Sequence, residues 1–249
     1  MSEYTLAPPL TPADQLQAQL KQQGFAVLSA QDVSTLSGVA LADLQAFAAD
    51  WADLPPDEYL KDGGRYRRRR HASLRIEAQQ CQVMPHRAHW QPLSYNALHG
   101  GMQRWFEPMK AAYLQQVFWQ RLMVWLGQVT SGLRSPQPWF AEAHQFRIDT
   151  TDGIGRPTPE GAHRDGVDLV AVFMVGRQGI KGGETRVFDV HGPQGQRFTL
   201  TEPWSVLLLD DTRVIHESTP IQPVGDAPGT RDTLVITLRA QRFLDDPQA

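Results

Sequence analysis

With 249 residues, 41% of them hydrophobic and 20% charged, the chain has the composition of a globular protein with room for a substantial core. Its net charge of −3 gives no global pull on nucleic acid or anionic lipid, so neither is expected as a partner. A single cysteine, Cys81, excludes a disulfide framework and any Cys-rich metal site; with no long apolar run for a leader or bilayer span, a cytoplasmic location is expected.

The expected elements change character once along the chain. Residues 1–60 read as a helical extension. Thr11 can cap a first helix with Pro12 at its opening position, and Gly24 can end it. The stretch GFAVLSA reads as a short strand. ALADLQAFAADWADLP then reads as an amphipathic helix burying Leu41, Leu44, Phe47, Ala48 and Trp51, stopped by Pro55 and Pro56. The run GGRYRRRRHASLRI reads as a solvated face or turn, and only as a strand would it send some of its arginines inward. A further helix is expected from about Met102 to Leu126. From Trp139 onward the pattern is short Val-, Leu-, Phe- and Thr-rich segments between turn residues, which argues for an antiparallel sandwich or barrel. The fold class is therefore α+β, helices first and a β-core over about 140–243, in one domain covering 1–249.

The β-rich part carries a candidate metal site. In EGAHRDGVDLVAVF, His163 and Asp165 are two apart, so on extended chain both point to one face, and Gly166 allows a tight bend beside them. Alone, His-x-Asp is an ordinary polar turn. His216, in LLLDDTRVIHESTPI, adds a second imidazole, and its distance from His163 leaves room for about four short strands that return the chain. Two imidazoles and a carboxylate cover one face of an octahedron and leave positions open, as non-heme Fe(II) oxygen-activating enzymes require. Arg231, with Thr233 on its face, can hold the far carboxylate of a dicarboxylate cosubstrate; the plain reading of Arg231 is a loop arginine paired with Asp226 or Asp232.

The order His163-x-Asp165, GGET at 182–185, LLLDD, His216 and Arg231 resembles the Fe(II)/2-oxoglutarate-dependent dioxygenases over about residues 140–243. The segments HRDGVD, QPLSYNALHGGMQRWFEPM and EAHQFRI resemble a bacterial branch with free amino-acid hydroxylases of the L-isoleucine 4-hydroxylase type, extending the match upstream to about residue 60. The resemblance implies a double-stranded β-helix, or jelly roll, with His163, Asp165 and His216 on Fe(II). It also implies 2-oxoglutarate on the metal and Arg231, O2 as co-reactant, and succinate and CO2 as products. The reaction is then hydroxylation of a small polar molecule, a free L-amino acid first among them.

For the substrate, HQFRID alternates. If the Gln145/Arg147 face is interior, Arg147 is a carboxylate clamp with Gln145 beside it; otherwise both face water. Tyr95 and Asn96 are further substrate candidates, in a segment read either as a turn and helix start or as a lid; Arg104 is read as part of the turn. His71, His86, His89, His99, His144 and His191 show no partner pattern. Two rivals remain open: a cupin-like metalloenzyme without 2-oxoglutarate, and a non-catalytic metal- or ligand-binding β-barrel. A homodimer is admitted, but the oligomeric state is not fixed.

Overall fold

A computed structural model of the protein describes residues 5–96 and 98–245; the ends of the expected 1–249 domain, including the first four residues of the helical extension, lie outside them. A 3-10 turn, Ala13–Gln15, leads into α1 (Leu16–Gln23), which stops at Gly24 with φ 77°. Thr11 does not cap it; its N–H bonds Val27 O at 2.8 Å, tying the chain to β1 (Phe25–Leu28). An unanticipated α2 (Ala30–Ser37) starts at Ser29, whose Oγ accepts the Asp32 N–H at 3.1 Å. Then comes α3 (Leu41–Phe47), with a 3-10 turn Ala48–Asp53 that buries Trp51.

The arginine run is a strand. β2 (Arg67–Glu77) turns into β3 (Gln80–Val83) and pairs with β4 (Trp139–Asp149), His71 opposite His144. The helix expected from Met102 starts only at α4 (Ala111–Leu114) and α5 (Val117–Leu133). Upstream, His71 N–H bonds Glu107 O and Met109 N–H bonds His71 O, both at 2.9 Å; a backbone engaged with β2 cannot also form helical bonds. The remaining strands are β5 (Leu169–Gln178), β6 (Ile180–Gly182), β7 (Thr185–Asp189), β8 (Gly195–Phe198), β9 (Val206–Leu209), β10 (Val214–Ser218), β11 (Ile221–Pro223) and β12 (Thr230–Ala240).

The large sheet runs β1-β9-β5-β12-β4-β2-β3, faced by β10-β7-β8 and the pair β11-β6. This is a double-stranded β-helix with packing helices, as the resemblance implied. Strand alternation divides the large sheet's residues between two environments. On the outer face Leu234, Ile236 and Leu238 pack with Ala141, Ala143, Leu169 and Phe173 against α1 to α5, around Leu20, Phe47, Trp51, Trp119 and Leu126. Each fully buried aliphatic side chain here contributes roughly 1.5–3 kcal/mol. On the inner face Val27, Val170, Leu207 and Leu209 meet Val187, Phe198 and Val214 of the smaller sheet. Along β4 and β12 that inner face turns polar and opens into a cleft. Among the described residues no helix is long and apolar enough to cross a membrane.

Candidate metal centre

His163 and His216 form an antiparallel bridge, each N–H bonding the other's carbonyl at 3.0 Å, so their rings lie 4.7 Å apart. His163 Nδ1 donates to Gly161 O at 2.9 Å, which leaves the Nε2 lone pair free. That Nε2 lies 3.8 Å from Asp165 Oδ1, and His216 Nε2 lies 3.8 Å from Asp165 Oδ2. These separations are too long for hydrogen bonds. The three donor atoms, all within 4.8 Å of one another, converge without satisfying one another, as a shared cation requires. Burial, with His163 beside it, pushes His216 down to about 3, so its imidazole is neutral and able to ligate. Burial opposes charge on His163, but Asp165 and Glu160 outweigh it and raise its pKa. Burial raises Asp165, with Glu160 adding to the effect against His163. A divalent ion among these ligands would relieve both strains, and the residues fit Fe(II).

The turn carrying Asp165 is held from below. Asp211, fully buried, accepts the N–H groups of Asp165, Gly166 and Val167 at 3.0, 2.8 and 3.1 Å. Gly166 has φ +79°, and a Cβ there would meet the Tyr95 ring at 2.4 Å, so the turn requires glycine. The Asp165 side chain, 16% exposed, also accepts Gln91 Nε2 at 3.1 Å.

Arg231, 4% exposed, enters the same cleft with Thr233 from the inner face of β12. Among the described residues its Nε is buried without a partner, and its nearest side-chain bond is Ser218 Oγ at 3.5 Å. Burial, then neighbouring Arg177, pushes it down to about 10. A guanidinium so placed suits an anionic ligand better than the pairing with Asp226 or Asp232. The GG of GGET packs here: a Cβ on Gly183 would approach Arg177 Nη1 at 2.9 Å and Arg231 Cδ at 3.6 Å.

The expected substrate clamp is not where alternation allowed it. Gln145 and Arg147 take the outer face of β4: Gln145 Nε2 donates to Asp50 Oδ2 at 2.9 Å, and Arg147 pairs with both oxygens of Asp232 at 2.8 and 2.7 Å. Leu234 and Ile236 pack outward on neighbouring β12, so their β4 partners must do the same, leaving Glu142, His144, Phe146 and Ile148 to the cleft. Tyr95 packs on the Gly166 turn and is not among the residues lining the cleft, whereas buried Asn96 is, donating to Gln91 Oε1 at 3.2 Å.

Sequence reasoning missed Arg67, Arg69, Arg104, His89 and His144, all buried and all lining the cleft. Arg67 and Arg69 share Asp57, at 2.7 and 3.7 Å. The Arg69 guanidinium lies 3.6 Å from the Phe106 ring centroid and 4.4 Å from that of Phe146. Arg104, read as a turn residue, is 2% exposed and donates to Gln91 Oε1 at 3.0 Å, with Nε unpartnered among the described residues; burial and Arg67 push it down to about 10. Alternation was the signal available for Arg67 and Arg69, had the run been taken as a strand. Nothing local marked Arg104.

His71, His89, Glu142 and His144 also bring donor atoms within 4.8 Å of one another. Here, unlike at His163, some of the atoms hydrogen-bond one another. Glu142 Oε1 accepts from His71 Nε2 and His89 Nδ1 at 3.0 Å, and His144 Nδ1 accepts from Arg69 Nη2 at 2.7 Å. Arg69 beside the group disfavours a cation, and these bonds hold the side chains in place without one.

A double-stranded β-helix with two imidazoles and one carboxylate converging at its mouth defines an enzyme built to use a non-heme metal. The family model for 2OG-Fe dioxygenases matches residues 48–237, and the chain belongs to that family. It is a 2-oxoglutarate-dependent dioxygenase using Fe(II), 2-oxoglutarate and O2, which displaces the cupin-like and non-catalytic readings. Among solved structures, a bsmA homolog from Methylobium petroleophilum PM1 is 51% identical over 100% of this chain and 99% of that one, with a TM-score of 0.90. IDO from Bacillus thuringiensis is 17% identical over 93% of this chain and 100% of that one, TM-score 0.75. The Fe(II)/α-ketoglutarate-dependent dioxygenase TqaL is 19% identical over 95% and 90%, TM-score 0.69. The last two share the fold alone. No curated protein matches.

Proposed function

We propose that the protein hydroxylates a small free α-amino acid, in the manner of the amino-acid hydroxylase branch its motifs resemble. In this reading His163, Asp165 and His216 hold Fe(II), while Arg231 and Thr233 hold the distal carboxylate of 2-oxoglutarate. The bound metal and cosubstrate supply the oxidising power: substrate, O2 and 2-oxoglutarate become hydroxylated substrate, succinate and CO2. The chain's own residues orient the substrate and keep water from the reacting bond.

One observation carries the amino-acid reading. Arg67 Nη2 and Arg104 Nε are buried without hydrogen-bond partners among the described residues, and so is Glu160 Oε2, and all three residues line the cleft that holds the candidate ligands. Unsatisfied buried donors and acceptors of opposite charge await a ligand that carries both charges. An α-amino acid does, with its carboxylate toward Arg67 and Arg104 and its ammonium toward Glu160. This moves the clamp expected at Arg147 to the neighbouring strand.

The test is anaerobic addition of Fe(II) and 2-oxoglutarate, followed by the visible metal-to-ligand charge-transfer band, then air and a panel of free L-amino acids with succinate as readout. Succinate release with at least one amino acid, matched by a hydroxylated product, is expected. A normal charge-transfer band with no succinate from any amino acid would overturn the reading.

A further inference from the structure

The end of the cleft far from Arg231 holds polar groups that neither iron nor cosubstrate engages in the proposed reading. Along β4 the inward side chains run Ile148, Phe146, His144, Glu142, and their partners on β12 run Arg231, Thr233, Val235, Thr237. Arg231 and Thr237 are therefore about 20 Å apart along the strand. A five-carbon diacid anchored at Arg231 leaves the His144–Glu142 end to the substrate.

The hydrogen bonds at that end fix what each group offers. Both bonds to Glu142 among the described residues fall on Oε1, from His71 and His89, so Oε2 is left for a ligand. Burial would raise Glu142, but His89 and His71 outweigh it and hold it well below the usual carboxylate range. His89 donates from Nδ1, so its Nε2 is an acceptor. His144 accepts Arg69 at Nδ1, and since a guanidinium only donates, the imidazole proton sits on Nε2. Two acceptors and one donor line this end. An aliphatic side chain would leave all three unpaired, and an ammonium would leave the His144 donor unmet. Charge points the same way: Arg67, Arg69 and Arg104 face Asp57, Glu142 and Glu160, so the subsite matches a ligand of no net charge.

We infer that the substrate is an uncharged α-amino acid whose side chain ends in a hydroxyl or carboxamide, recognised by Glu142, His89 and His144. The inference rests on the amino-acid reading above and narrows it. A site built to hydrogen-bond a polar group rejects the apolar analogue by far more than a methylene's worth of binding.

The experiment is anaerobic calorimetry on the Fe(II)/2-oxoglutarate protein with shape-matched pairs: threonine and valine, asparagine and leucine, glutamine and methionine, together with lysine. In at least one pair the polar member binds tenfold or more tighter, and Glu142→Gln removes that preference while leaving 2-oxoglutarate binding intact. Should Glu142→Gln not fold, the wild-type pairs decide. Apolar members binding equally or better in every pair, or lysine binding best, overturns the inference and leaves the amino-acid reading standing. No binding by any of the seven overturns the inference, and the succinate panel then decides the amino-acid reading.

Discussion

The buried carboxylate of Asp211 accepts the backbone N–H of Asp165 at 3.0 Å, and with it the next two N–H groups of the turn. Asp211 thus sets where the Asp165 side chain starts, without reaching the cleft itself. Asp211→Asn replaces one acceptor oxygen with a donor that faces an N–H. Metal affinity, measured by Mn(II) or Fe(II) calorimetry, should fall about 10- to 100-fold with secondary structure unchanged by circular dichroism. Unaltered affinity would reduce Asp211 to a packing residue.

Asp165→Ala removes the only carboxylate among the three converging donors. Because the side chain sits at a partly open pocket, the loss falls on metal binding more than on packing. Succinate formation should disappear while the thermal midpoint moves by only a few degrees. Full turnover in this variant would take Asp165 out of the centre.

Arg231→Ala should raise KM for 2-oxoglutarate at least tenfold and weaken the charge-transfer titration in parallel, with Arg231→Lys in between, since a lysine keeps the charge but loses the fork. An unchanged KM would return Arg231 to a structural role.

Arg147 makes the opposite prediction. It is spent on Asp232 on the outer face, so Arg147→Ala should leave kcat/KM for the substrate within about twofold and cost roughly 1–2 kcal/mol of stability by urea unfolding. Loss of substrate binding in this variant would restore the clamp expected from the sequence.

Acid should destabilise the fold through its buried neutral histidines. Burial pushes His89 and His99 down to about 4, from an unfolded value near 6.5. Between those values the unfolded chain binds more protons than the native one, so stability is full above pH 6.5 and is lost as pH falls toward 4. Glu142, held low, extends the loss below 4.5. The urea midpoint should drop between pH 7 and pH 4.5, and less steeply in His89→Gln; a flat profile would contradict the burial of neutral imidazoles.

How much could be read from the sequence depends on how local each signal is. The short strands from Trp139 onward stand out because alternation and turn residues are local, and the strands bring His163, Asp165, His216, Arg231 and Thr233 to one cleft. Which face of β4 is interior depends on what neighbouring strands pack against, which residues 142–148 alone do not encode. The expected helix from Met102 shows the same limit, since residues 107–109 are drawn into pairing with His71 of β2, and Arg104 with His89, across gaps in sequence. The arginine run misled for a further reason: four successive charges suggest solvent unless the partners, Asp57, Phe106 and Phe146, are known to surround two of them.

That run also has a bearing on alignment. Shift β2 by one residue and arginines would still occupy both of its faces between positions 67 and 70, so this stretch is blind to its own phase. The phase has to be imposed by the second half of the strand, where such a slip would expel Leu74 and Ile76 into the polar side and bring Arg75 into the oily one. Two aliphatic side chains well away from the chemistry thereby decide which guanidinium groups meet the ligand.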